Sequence, residues 1–171
     1  MNIKSIKGMA AILFLAALTF GDALAQTLPT PLGKPILSVS GSISLTNEGR
    51  DAVFDREMLE ALGTVAFETA TPWDKRPVRF EGVPLGRLLD LLGTSGTKLT
   101  AIALNDYSAE LPIEDTRKYE VILALKRDGE YMPVRGKGPL FIVYNFDADP
   151  ELNSQKFYSR SVWQVVRLEV R

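Results

Sequence analysis

The segment Arg135-Gly136-Lys137-Gly138-Pro139 places two cations between glycines, just ahead of an apolar stretch. Flexible backbone carrying Arg and Lys can cradle an anion. The same composition also makes an ordinary basic hairpin loop. Phe157-Tyr158-Ser159-Arg160-Ser161-Val162-Trp163 sets aromatics and Arg160 at the mouth of a strand-like run. Both a pocket wall and a core edge suit Trp163, and Trp73, beside Thr71 and Pro72, reads the same way. Asn105-Asp106-Tyr107 has the composition of a turn. Asn145, Asp147, Asp149 and Glu151 alternate as in a calcium loop. Pro150 stands where that loop needs Gly, and Lys156 where it needs Glu, so the segment reads as a solvated loop.

Much chemistry is excluded by composition. The 171 residues contain no Cys and no His. Disulfides, thiolate nucleophiles, Cys- or His-type zinc sites, Cys-ligated iron–sulfur clusters and His-centred triads are ruled out. No Gly-rich phosphate loop, Gly-x-Ser-x-Gly elbow or dinucleotide fingerprint occurs. Carboxylate, Lys, Tyr, Ser/Thr and Arg chemistry remain, or binding without chemistry. A formal charge of −1 gives no general attraction to nucleic acid or anionic membranes.

Elements must position these groups, and the first 25 residues do not contribute to them. Lys4 and Lys7, the apolar run 9–20 and Ala23-Leu24-Ala25 have the order of a secretory signal. The run is too short for a spanning helix, which needs ~20 residues. No other segment is apolar for long enough, so no membrane span is expected once the signal is removed. A periplasmic or secreted location follows as an expectation. Residues 26–35 read as an extended lead-in, and 36–171 as one domain.

Within that domain, Ile36, Leu37, Val39, Ile43 and Leu45 suggest two short strands around Gly41. Asp55 reads as an N-cap, with a helix over 58–62 stopped by Gly63. A strand is expected over 64–71, and alternation at Val78, Phe80 and Val83 leads to Pro84. Leucines at 85, 88, 89, 91 and 92 mark a helix ended by Gly93. Residues 99–104 and 107–111 read as strands, 112–119 as one or two helical turns, and 121–125 and 140–144 as buried strands. Residues 127–130 form a hairpin turn, 146–156 a polar loop, and 162–170 a closing strand with Val162, Gln164, Val166, Leu168 and Val170 on one side. Interspersed helices among dominant strands and hairpins give an α+β class, of mixed strands with a few short helices.

Several of these segments, in order, resemble the molybdopterin-binding domain of the sulfite-oxidase family of oxidoreductases. Gly82-Val83-Pro84-Leu85 with Leu88-Leu89 resembles that family's Gly-x-Pro-Leu helix start. Asp106-Tyr107 before Leu111-Pro112 resembles its Asp-Gly-Tyr strand, without the Gly. Ile122-Leu123-Ala124 ahead of Asp128-Gly129 and Met132-Pro133 is similar to its Asn-Gly turn toward Leu-Pro. Gly138-Pro139-Leu140 and Ser161-Val162-Trp163 with Leu168-Glu169-Val170 resemble its last core strands. Thr71-Pro72-Trp73 and Leu104-Asn105-Asp106-Tyr107 are similar to a subgroup of short secreted proteins made of this domain alone.

The resemblance implies a molybdopterin cofactor whose molybdenum is bound by one cysteine, shortly before the Gly-x-Pro-Leu element. The matching position is Thr69, or a neighbour between Glu68 and Thr71, and a Thr hydroxyl lacks the soft, ionisable sulfur. The signal also carries no Arg pair of the kind that exports folded, cofactor-loaded proteins. The expectation is a domain of this family without Cys-ligated molybdenum, acting as a module for a small anionic ligand or for the extracytoplasmic domain of a membrane sensor or redox partner. The alternative is an active molybdopterin oxidoreductase with non-Cys ligation. The candidate pocket takes cations from Arg135, Lys137 and Arg160, and walls from Trp73, Tyr107 and Trp163. Thr69, Thr71, Asn105 and Asp106 complete it.

Overall fold

Alternating apolar residues make the strands here, and leucines three and four apart make the longest helix. The structure is a computed structural model that describes residues 27–171. The expected signal, 1–25, and Gln26 lie outside the described residues. The elements run β1 (Leu37–Gly41), β2 (Ala52–Phe54), α1 (Arg56–Ala61), β3 (Val65–Thr69), β4 (Val78–Pro84), α2 (Leu85–Leu91), β5 (Lys98–Ala103) and β6 (Ser108–Pro112). They continue through α3 (Asp115–Lys118), β7 (Val121–Arg127), β8 (Glu130–Tyr131), β9 (Phe141–Tyr144), α4 (Gln155–Arg160) and β10 (Val165–Val170).

Two five-stranded sheets result. The first has the order β2-β1-β10-β5-β6, with β10 parallel to β1 and antiparallel to β5. In the second, β3, β4 and β7 are neighbours, and β8 and β9 both pair with β7. All of its pairings are antiparallel. This is the mixed architecture expected, with few and short helices. Among the described residues no helix is long and apolar enough to cross a membrane.

Local chemistry explains the boundaries. Asp55 caps α1 through Oδ1, which accepts from the Met58 amide at 2.9 Å. The helix ends at Gly63, whose φ of +86° suits glycine. In α2, which packs on β4 and β7, the leucines at 85, 88 and 89 are buried. Val121, Ile122, Leu123, Ala124 and Leu125 of β7 are all buried, as a strand covered on both faces requires.

Three expectations are corrected. No strand forms around Ile43, because Gly41 turns the chain at φ +93° and the amides of Ser44 and Leu45 bond Leu92 O instead. The partner of β1 is 52–54. Residues 146–156 are no open polar loop: two 3-10 turns bury Phe146 and Leu152, and α4 begins at Gln155. The last strand starts at Val165, not Val162. A register shift between Val165 and Arg167 breaks the simple alternation, so Val165, Leu168 and Val170 point inward.

Ahead of β10 the chain stitches the two sheets together. Phe141 bridges Trp163, Ile142 N donates to Val162 O at 2.9 Å, and Val165 N donates to Leu140 O at 3.0 Å. Gln164, at φ +57°, accepts from Leu104 N on the other side at 3.0 Å.

Candidate functional site

A groove of about 430 Å³ opens where this stitch meets α4 and the turn after β5. Its aromatic lining is Trp73, Tyr107, Tyr158 and Trp163. Asn105, Gln155, Ser159 and Ser161 supply its polar groups, and among the described residues no charged one lines it. Trp73 is the centre of the wall. Its ring meets Trp163 at 5.5 Å, Phe141 at 5.9 Å, Tyr158 at 6.0 Å and Phe146 at 6.2 Å, each edge to face.

A charged cluster holds that wall from behind. Asp74 accepts from Thr71 Oγ1 at 2.7 Å, Arg127 at 2.7 Å and Lys137 Nζ at 3.1 Å. Its side chain is 8% exposed. Burial pushes its carboxyl up, but the bonds from Thr71 and Lys137, with the charges of Lys137 and Arg127, outweigh it and hold the group below the usual range. The Lys137 ammonium also lies over three rings, 5.5 Å from Trp73, 5.7 Å from Trp163 and 5.8 Å from Phe141.

The expected pocket residues therefore divide. Trp73, Asn105, Tyr107 and Trp163 line one groove. Thr71 and Lys137 stand behind it through Asp74. Asp106 sits at φ +62° in the turn that presents Tyr107, while Asn105 Oδ1 accepts from Tyr107 N at 3.2 Å. Thr69 is fully buried away from the lining; its hydroxyl accepts from Asp147 N at 3.1 Å. Arg135 is exposed beyond the groove. Arg160 turns to a different face, where it and Tyr144 both donate to Asp115 Oδ2, at 2.7 and 2.8 Å. Of the three expected cations, two face carboxylates and none lines the groove. Sequence reasoning missed Asp74, and took Arg127 only as the start of a hairpin turn. The spacing of Thr71 and Asp74, a hydroxyl and a carboxylate three apart around Trp73, was the available signal.

The position matching a metal-binding cysteine does not fit a metal. Thr69 Oγ1 already has a backbone donor and itself donates to Ala70 O at 3.3 Å. Among the described residues no three Asp, Glu, His or Cys converge as a metal site.

No protein-family model matches the sequence, and no curated protein matches it. A solved structure does: the sulfane dehydrogenase SoxCD from Paracoccus pantotrophus, at a TM-score of 0.57 and 19% identity. The match covers 78% of this chain and 37% of that one, so this chain spans well under half of its neighbour. At such identity the likeness is one of fold alone, and it is consistent with the α+β architecture expected from the sequence.

Proposed function

We propose that the protein is a secreted binding module on a sulfite-oxidase-like scaffold, without Cys-ligated molybdenum, and that it holds a small uncharged ring compound in the groove between Trp73, Trp163, Tyr107 and Tyr158. The observation that carries this reading is the lining itself: aromatic walls, amide and hydroxyl groups, and no charge among the described residues. The anionic ligand expected from the Arg135 and Lys137 loop loses its support, because Lys137 is tied to Asp74. A chain without Cys offers no thiolate, and Thr69 is occupied with the Asp147 loop. Export as an unfolded chain agrees with a signal that carries Lys4 and Lys7 and no Arg pair.

Two measurements test the proposal. The full chain is expressed with its own signal in a molybdenum-replete bacterial host, purified from the periplasm, and assayed for molybdenum and pterin. Neither is expected; stoichiometric amounts of both would overturn the reading in favour of a molybdopterin oxidoreductase. The same protein is then screened by ligand-observed NMR against adenosine, nicotinamide and maltose. At least one is expected to bind, at least tenfold more weakly in Trp163→Ala. Absence of Trp163-dependent binding across the set refutes the assignment of this groove.

A further inference from the structure

On the other side of Gln164 lies a second groove, of about 490 Å³. Its walls are the extended segment through Pro35 and Ile36, the segment Met132-Pro133-Val134, and Leu104. Lys34 and Arg56 also line it, and among the described residues no Asp or Glu does. Neither cation takes part in a salt bridge among the described residues. Arg56 instead stacks over the Tyr131 ring at 4.3 Å. Arg135, exposed and in no salt bridge among the described residues, follows Val134. Lys34 and Arg56 in the lining, with Arg135 beside it, thus make three cations that take part in no salt bridge among the described residues.

The apolar surface is wider than the groove. Leu104 is 49% exposed and Val134 51% exposed. Gln164 holds both: its Nε2 donates to Val134 O at 2.7 Å and its carbonyl accepts from Leu104 N at 3.0 Å. Large apolar side chains clustered in the open mark interaction sites, whereas single ones are ordinary. The wall backbone is largely spent internally: Ile36 N bonds Phe54 O, Met132 N bonds Leu125 O, and prolines at 35, 133 and 139 have no N–H. Strand addition is therefore disfavoured, and side chains must do the recognising.

We infer that this face docks a partner protein through an acidic segment in which apolar residues alternate with Asp or Glu. The apolar residues fill the groove between Pro35 and Pro133, and the carboxylates meet Lys34, Arg56 and Arg135. This inference is independent of the small-ligand reading, since it uses a different groove.

The test uses the purified protein and a fluorescein-labelled peptide alternating Glu and Leu, read by fluorescence anisotropy. Binding is expected, weakening as salt shortens the Debye length from ~10 Å toward ~3 Å. It is expected to fall at least tenfold in Lys34→Glu with Arg56→Glu, and also in Val134→Asp. These positions are surface ones, so unchanged unfolding midpoints confirm that the variants fold. A peptide alternating Lys and Leu is expected not to bind. No binding of the acidic peptide, equal binding of the basic one, or indifference to charge reversal overturns the inference. Binding of dodecanoate without the peptide overturns it in favour of a small amphiphile.

Discussion

Replacing Asp74 by Asn tests the cluster behind the aromatic wall. The carboxylate receives three side-chain donors, two of them cationic. Asn keeps the shape but removes the charge that Lys137 and Arg127 face. Hydrogen bonds to charged groups are worth about 1.5–3 kcal/mol each. The Arg127 side chain is 33% exposed and rehydrates, so its share is discounted, while Lys137 is 18% exposed and cannot easily leave. The expected loss is about 2–4 kcal/mol at pH 7, below the upper range for breaking a fully buried pair. Urea unfolding followed by tryptophan emission reads it directly, since both tryptophans of the chain stand in this wall. Asp74 titrates lower in the fold than in the unfolded chain. Its stabilisation is therefore fully present above the unfolded value of ~3.9 and disappears as pH falls through the folded one. The gap between wild type and Asp74→Asn should close in acid. A gap under about 1 kcal/mol at pH 7, or one unchanged by acid, refutes the reasoning. A cycle with Lys137→Met should show a coupling of about 0.5–3 kcal/mol.

Three further predictions rest on local contacts. Asp55 accepts from Leu32 N at 2.9 Å, Gly33 N at 2.7 Å and Met58 N at 2.9 Å, so Asp55→Ala should lower stability by about 2–4 kcal/mol. Hydrogen exchange at Leu32 and Gly33 should accelerate in that variant, and a lead-in that stays protected would contradict it. Gly82→Ala would set a Cβ 2.2 Å from Leu123 O, so β4 must part from β7, and the thermal midpoint should fall by at least ~6 °C. Tyr144→Phe removes one of two donors to the buried Asp115 and should cost about 1–2 kcal/mol, whereas Arg160→Met, which strips the counter-charge, should cost more; equal losses in urea unfolding would argue against this.

Much of the scaffold was legible because its signals are local. Asp55 and Gly63 bracket α1, Pro84 and Gly93 bracket α2, and the Arg127-Asp128-Gly129-Glu130 turn sets the β7–β8 hairpin. Where expectation failed, a distant partner decided. Leu92, not any neighbour, captures the amides of Ser44 and Leu45. The site divides in the same way. Trp73, Tyr107, Asn105 and Trp163 were recognisable as aromatics and turn residues, and they do share a groove. The destinations of Lys137 and Arg160 were not legible, because each is fixed by a carboxylate remote in sequence, Asp74 or Asp115.

The place of β10 bears on how the chain is delivered as well as on how it is held. Residues 165–170 form the middle strand of the first sheet, between β1 and β5. The other four strands of that sheet end by Pro112, and the whole second sheet is written in between or earlier, from Val65 to Tyr144. Until β10 arrives, β1 with β2 and β5 with β6 are two separate hairpins, each marginal alone in water. A ribosome or a translocation pore feeding the chain N-terminus first therefore releases a half-open sheet, which closes only when its central strand emerges after every other one.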